Sequence, residues 1–86
     1  MRSVDKALAQ LLTGRADANI RFSELRRLLV RLGFAERIRG DHFIYSREGI
    51  EEIINLQPRG GQAKPYQVRQ VRSLIAKYAL TLRDEE

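Results

Sequence analysis

The chain of 86 residues contains no cysteine, no tryptophan and a single histidine. Without cysteine there can be no disulfide bond, no thiolate nucleophile and no cysteine-ligated metal centre. No apolar run approaches the roughly 20 residues that span a bilayer, and the first residues lead into an amphipathic pattern rather than a signal-peptide core. We therefore expect a cytoplasmic protein, and a chain this short predicts one hydrophobic core.

Sequence motifs of the common hydrolases and nucleotide enzymes are also missing. There is no Walker phosphate loop, no HExxH zinc motif, no cluster of metal ligands and no ordered triad of serine, histidine and aspartate. The segment from Gly60-Gly61 to Lys64 resembles a phosphate loop only superficially, because the GK[ST] ending is missing. We therefore expect neither a metal ion nor a cofactor.

Negative charge is scarce outside the last three residues. The 16 basic and 11 acidic residues give a net charge of +5, and three of the acids are Asp84, Glu85 and Glu86. Residues 1–83 therefore carry 16 basic against 8 acidic residues, or +8. Of the basic residues 13 are arginine, whose planar guanidinium suits bidentate contacts with phosphate or carboxylate. This balance favours a polyanionic partner: nucleic acid first, an acidic protein second and a membrane surface third.

Apolar residues at helical spacing predict three helices. The first covers residues 3–13, with Ser3 as its N-cap and Gly14 as its stop. A connecting loop over residues 15–21 follows it, and the last helix covers roughly residues 66–79. The second and clearest helix carries an apolar stripe at Phe22, Leu25, Leu28, Leu29 and Leu32.

The second helix is expected to have Ser23 as its N-cap and to end at Gly33. Arg26, Arg27 and Arg31 lie off its apolar stripe, so we expect them to face solvent or a ligand. These expectations follow from helix geometry alone, because the sequence does not show what packs beside the helix.

Two turns divide the middle of the chain into three predicted strands. Residues 34–39 and 42–46 form a hairpin around Gly40-Asp41. Residues 50–57 would also permit a helix, but a strand is preferred because alternate apolar residues share one face, with Glu52 as the exception. The predicted fold is α+β: a small two-layer sandwich of a three-stranded antiparallel sheet with helices on one face, plus an extra N-terminal helix.

The single histidine, His42, opens the second predicted strand directly after a basic turn. Histidine can accept and return a proton near neutral pH, as cleavage of RNA at a ribose 2′-hydroxyl requires. Asp41 either orients the imidazole ring or is simply a turn residue. Four cations are expected to surround the scissile phosphate and to stabilise its developing charge: Arg37, Arg39, Lys64 and Arg69. The alternative is that His42 is an ordinary polar strand residue.

Strand alternation separates His42 from the aromatic residues that follow it. His42 should share one face of the sheet with Ile44 and Ser46. Phe43 and Tyr45 should face the other way, and we expect them in the core rather than as platforms for nucleic-acid bases.

Four segments follow one another in a characteristic order: Leu32-Gly33-Phe34, Gly40-Asp41-His42-Phe43-Ile44-Tyr45, Ile54-Asn55-Leu56-Gln57 and Lys64-Pro65-Tyr66-Gln67-Val68-Arg69-Gln70-Val71. In this order, over about residues 20–80, the chain resembles the HicA toxins of bacterial toxin-antitoxin pairs. The resemblance implies a double-stranded-RNA-binding-like fold, a cytoplasmic endoribonuclease that cleaves mRNA with His42 as its catalytic histidine, and a HicB-type antitoxin that covers the active face. Residues 1–19 would then be an accessory helix and linker, and residues 81–86 an acidic tail.

The chain departs from the common Gly-Ser-His-His motif of that family. Asp41 replaces the serine, Phe43 replaces the second histidine, and Tyr45 stands where phenylalanine is usual. An extra carboxylate beside an anionic substrate would slow cleavage, so one alternative is a weakened toxin or a non-catalytic RNA-binding module. Another is a protein-interaction domain whose arginines meet an acidic partner.

Overall fold

The computed structural model describes residues 3–14 and 20–83. Its elements are α1 (Ser3–Thr13), α2 (Phe22–Arg31), β1 (Ala35–Arg39), β2 (His42–Arg47), β3 (Ile50–Leu56) and α3 (Pro65–Tyr78). The predicted α+β fold with a three-stranded antiparallel sheet is confirmed. Residues 15–19 of the predicted loop and residues 84–86 of the predicted tail lie outside the described residues. None of the described helices is long and apolar enough to cross a membrane.

The sheet has the strand order β1-β2-β3, and each neighbouring pair is antiparallel. The first hairpin turns at Gly40, whose φ of 61° lies in the left-handed region that favours glycine. This turn places Arg39 directly opposite His42. The register between β2 and β3 places Tyr45 opposite Ile54. The preference for a strand over a helix near residues 50–57 is confirmed.

The hydrophobic core lies between one face of the sheet and the helices. Tyr45 and Ile54 of the sheet are completely buried, and the Phe22 and Phe43 rings meet edge to face with 5.0 Å between their centroids. The prediction that Phe43 and Tyr45 face the core is therefore confirmed. The other core side chains are Leu11, Ile20, Leu25, Leu28, Leu29, Leu32, Phe34, Leu56, Ala63, Val68, Val71, Leu74 and Ile75.

The start of α2 differs from the prediction. Arg21, and not Ser23, occupies the N-cap position, and it makes no side-chain capping hydrogen bond. The main-chain N–H of Phe22 donates to the carbonyl of Gly61 at 3.0 Å, so a distant loop satisfies one of the N–H groups that have no partner within the helix. The predicted C-terminal stop is confirmed, because Gly33 has a φ of 95° just after the helix.

Arg26 pairs with Glu36 within the protein, while 36% of its side chain remains exposed. Its guanidinium donates two hydrogen bonds to the Glu36 carboxylate, at 2.9 and 3.1 Å, and lies 4.5 Å from the centroid of the Phe43 ring. The hydrogen bonds from Arg26 are the largest of the causes that lower the pKa of Glu36. Arg31 also has an internal partner, since it donates to the main-chain carbonyl of Arg83. None of the three arginines off the apolar stripe is buried, and only the internal partners of Arg26 and Arg31 were not anticipated, because those partners lie outside α2.

Glu52 is the one charged residue on the otherwise apolar face of β3, and it binds two side chains of α3. One of its carboxylate oxygens accepts a hydrogen bond from the Tyr78 hydroxyl at 2.6 Å, and the other pairs with the Lys77 ammonium at 2.7 Å. The hydrogen bonds from Lys77 and then Tyr78 lower the pKa of Glu52 to about 2. The carboxylate therefore ties the end of α3 to the sheet.

Glu52→Gln is expected to lower the thermal unfolding midpoint at pH 7. The pKa of Glu52 is depressed in the folded protein, so its contribution is fully present above the unfolded pKa of roughly 4.3 and is lost as the pH falls towards about 2. The gap in melting temperature between wild type and variant should therefore narrow over this window. Glu51→Gln, at an exposed position of the same strand, is the control. An equal gap at pH 7 and at the acid end would contradict the assignment.

Candidate functional site

The second face of the sheet carries no helix in the described part of the chain. We call it the open face and define it by Ala35, Arg37, Arg39, His42, Ile44, Ser46, Glu51, Ile53 and Asn55. All of these residues are exposed except Ile44, which is half-buried. The predicted alternation along β2 is confirmed, since His42 lies on this face and Tyr45 on the other. The open face is thus an accessible surface on which a large ligand can lie.

The imidazole of His42 is held by Asn55 on the neighbouring strand. Asn55 lies opposite Ile44 in the register, which makes it the diagonal neighbour of His42 on the same face. The His42 Nδ1 atom is 3.2 Å from the Asn55 Oδ1 atom. If the amide oxygen accepts this hydrogen bond, Nδ1 carries the proton and the neutral ring has its lone pair on Nε2. Half of the His42 side chain remains exposed, so this nitrogen is accessible.

Asp41 lies at the turn and also borders the imidazole ring. One of its carboxylate oxygens is 3.7 Å from the His42 Nε2 atom, and the other accepts a hydrogen bond from the Gln57 amide at 2.6 Å. That hydrogen bond is the largest cause of the lowered pKa of Asp41, with smaller contributions from the charges of His42 and Lys64. A carboxylate therefore stands next to the ring nitrogen that proton transfer would use.

The four cations that were predicted to bind phosphate lie on different elements of the structure. Arg39 lies directly across from His42, and Arg37 lies across from Ile44, so both share the open face with the histidine. Lys64 immediately precedes α3, and its charge acts on Asp41. Arg69 is an exposed residue of α3.

Arg69 projects from the exposed side of α3. Gln67 contacts the end of the sheet, because its amide donates to the Gln57 main-chain carbonyl at 3.4 Å. At about 100° per residue, Arg69 lies about 200° around the helix from Gln67, and it is exposed. The structure thus groups His42 with Arg37 and Arg39, brings Lys64 to the Asp41 side, and leaves Arg69 on the exposed side of α3.

Two members of the site were not anticipated from the sequence. Asn55 and Gln57 contact His42 and Asp41 through side-chain amides, and neither amide has a distinctive sequence signature. The period-2 pattern of β3 could have placed Asn55 on the open face, but only the strand register makes it the neighbour of His42.

No family model matches this chain, and no curated protein or solved structure matches it either. The site must therefore be judged on its own chemistry. Among the described residues, no group of three or more histidine, cysteine, aspartate or glutamate side chains is placed to hold a metal ion. What the described residues offer is an oriented, accessible imidazole beside two arginines.

Proposed function

We propose that the protein is a HicA-type toxin: an endoribonuclease that cleaves mRNA without a metal ion, using His42, and that a HicB-type antitoxin neutralises. The observation that carries the ribonuclease proposal is the exposed imidazole of His42, held at Nδ1 by Asn55 and placed opposite Arg39. The sheet with helices on one face suits a double-stranded-RNA-binding-like fold. The antitoxin partner is supported by the family resemblance alone.

In the proposed reaction, the His42 Nε2 atom removes the proton from a ribose 2′-hydroxyl. The 2′-oxygen attacks the adjacent phosphorus, forming one P–O bond while the bond to the 5′-oxygen of the next nucleotide breaks. The imidazolium then returns the proton to that leaving oxygen, and a 2′,3′-cyclic phosphate remains. Arg39 and Arg37 stabilise the charge that develops on the phosphate oxygens, and Asn55 keeps the ring in orientation.

The test is incubation of the purified protein with an end-labelled structured RNA in EDTA, followed by analysis of the fragment ends. Fragments with cyclic phosphate ends are expected, and DNA of the same sequence should stay intact because it lacks the 2′-hydroxyl. His42→Ala protein purified in the same way controls for contaminating nuclease. Fragments that appear equally with the variant, or that disappear in EDTA, would overturn the proposed mechanism.

A weakened toxin or an RNA-binding module without catalysis is the second candidate. It is favoured by the position of the Asp41 carboxylate, 3.7 Å from the ring nitrogen that would act as base, because a fixed anion there repels the incoming phosphate. In that case the same RNA is bound in a salt-sensitive manner and no fragments form. A protein-interaction domain, by contrast, would show no RNA affinity at moderate salt.

Asp41→Asn is expected to tighten RNA binding by about 3- to 10-fold at about 50 mM salt, because one negative charge is removed beside the phosphate. Asparagine keeps a side-chain oxygen that can accept the Gln57 hydrogen bond, so the turn should be preserved. Fluorescence anisotropy with a 2′-O-methyl RNA, which cannot be cleaved, measures the change. The gain should shrink as salt is raised.

Glu48→Gln is the matched control for Asp41→Asn. It removes the same charge at an exposed position in the turn at the other end of β2. An equal gain for both variants would show that only net charge matters and that Asp41 has no special position relative to the RNA.

A further inference from the structure

A cavity of about 260 Å³ opens at the start of α3, separate from the open face. We call it the α3 cavity; its lining consists of Arg59, Gln62, Ala63, Lys64, Pro65 and Tyr66. Tyr66 stands out, because 56% of this large aromatic residue is exposed. The mechanism proposed above uses neither Tyr66 nor Arg59.

The loop that forms one wall of the α3 cavity is held in place by main-chain hydrogen bonds. Gly60 and Gly61 have φ values of 58° and 78°, the positive values that a tight two-residue turn requires at both central positions. Arg59 and Gln62 exchange main-chain hydrogen bonds at 3.1 and 3.0 Å across the turn. The Gly61 carbonyl also accepts the hydrogen bond from Phe22. The turn therefore presents Arg59 from a braced backbone.

Tyr66 is fixed at its base while its ring remains accessible. Pro65 occupies the first turn of α3, where its restricted φ suits the helix, and the Gln67 side chain accepts a hydrogen bond from the Lys64 main-chain N–H at 3.2 Å. Ala63 is buried beneath this segment. The neighbours of Tyr66 thus order its backbone. Little backbone entropy remains to be lost when a ligand binds against the ring.

The charge of the α3 cavity favours an anionic ligand with an aromatic part. Arg59 and Lys64 both line it, and none of the described residues that line it is a carboxylate. An exposed aromatic ring beside cations is the arrangement with which proteins bind single-stranded nucleic acid, because every base has a face that can stack and every linkage carries a negative charge. An acidic peptide would use the cations but would supply a stacking partner only where it carries an aromatic side chain, whereas nucleic acid has a base at every position.

The α3 cavity is connected to the His42 site through Gln57. The Gln57 amide donates to Asp41 at 2.6 Å, and its main-chain carbonyl accepts the hydrogen bond from Gln67, the residue after Tyr66. A strand of nucleic acid that reaches His42 can therefore continue past Lys64 towards Tyr66. Gln57 therefore lies between the open face and the α3 cavity and makes a hydrogen bond on each side.

We propose that the α3 cavity binds an unpaired base of the RNA substrate, which stacks on Tyr66 while Arg59 and Lys64 contact the flanking phosphates. The inference rests on the proposed function in taking RNA as the ligand, and it adds that the substrate is single-stranded at this point. Stacking is tolerant of base identity, so Tyr66 confers a preference for unpaired RNA and little preference for sequence.

The test compares Tyr66→Ala with Tyr66→Phe, which keeps the ring and removes the hydroxyl. Binding of a fluorescein-labelled single-stranded 2′-O-methyl RNA is measured by anisotropy, so that cleavage is not required. Loss of one stacked base is expected to weaken binding by about 5- to 100-fold in Tyr66→Ala, with less than about a twofold change in Tyr66→Phe. A fully paired duplex of the same sequence should bind both variants and the wild type alike.

Each outcome separates this inference from the proposed function. Wild-type affinity in Tyr66→Ala, an equal loss in Tyr66→Phe, or an equal loss for the duplex would overturn the stacking role of Tyr66 and leave cleavage by His42 intact. An RNA that is bound through Tyr66 but is never cleaved in EDTA would overturn the proposed ribonuclease and leave the inference standing. Thermal unfolding of both variants checks that the fold is retained.

Discussion

Replacing His42 with alanine is expected to lower the rate of RNA cleavage by at least about 100-fold. A positioned general acid and base typically contributes about 10²- to 10⁴-fold, and His42 is the single histidine of the chain. The loss should fall on kcat, because the arginines of the open face, to which the proposed mechanism assigns phosphate binding, remain in place. The same variant should bind uncleavable RNA with nearly wild-type affinity.

The His42→Ala variant should also fold normally, since half of the side chain is exposed and its hydrogen bond to Asn55 is exposed as well. Ser46→Ala is the matched control, because Ser46 is an exposed residue on the same strand and the same face. It should cleave RNA at the wild-type rate. Equal rates for His42→Ala and wild type would remove His42 from the mechanism, and equal losses in both variants would point to a general disturbance of the strand.

Leu11→Ala is expected to lower the free energy of unfolding by about 2–5 kcal/mol, the usual cost of removing a fully buried leucine side chain. Leu11 lies in α1 and is completely buried in the core that also contains the α2 and α3 stripes. The Arg72 guanidinium donates to the Leu11 carbonyl at 3.2 Å, which adds a second tie between α1 and α3. Urea unfolding at neutral pH measures the loss.

Leu12→Ala provides the neighbouring control, because 51% of Leu12 is exposed and an exposed substitution usually changes stability by less than about 0.5 kcal/mol. A large difference between the two variants would make α1 an integral part of the core. Two equally small effects would instead fit the division of the chain into an accessory segment at residues 1–19 and a domain at residues 20–80. That division remains a prediction until this comparison is made.

The sequence predicted the elements well where a regular pattern extends over several turns or strand residues. The stripe from Phe22 to Leu32 and the alternation in β3 each identify both the element and its buried face, because side-chain direction repeats every 3.6 or 2 residues. The same alternation correctly separated His42 from Tyr45. Local pattern is sufficient for these conclusions.

Pattern was insufficient where a residue depends on a partner far away in the sequence. Arg26 lies off the buried stripe as expected, but its pairing with Glu36 and its contact with the Phe43 ring do not follow from the helical pattern. Arg69 was grouped with the phosphate-binding cations; it lies on the exposed side of α3, and that role stays a prediction. In both cases the helical position was right, and the missing information was how the helix sits against the sheet.

The sequence by itself determined the fold class, the absence of cysteine chemistry, the positive charge and the position of His42 on a strand. These properties depend on composition or on repeats between near neighbours. Only the tertiary structure decided that Asn55 holds the imidazole, that Asp41 borders it and that Tyr66 opens into a cavity beside Arg59. Strand register and helix docking set these contacts, and both are the outcome of packing one core from segments distant in the chain.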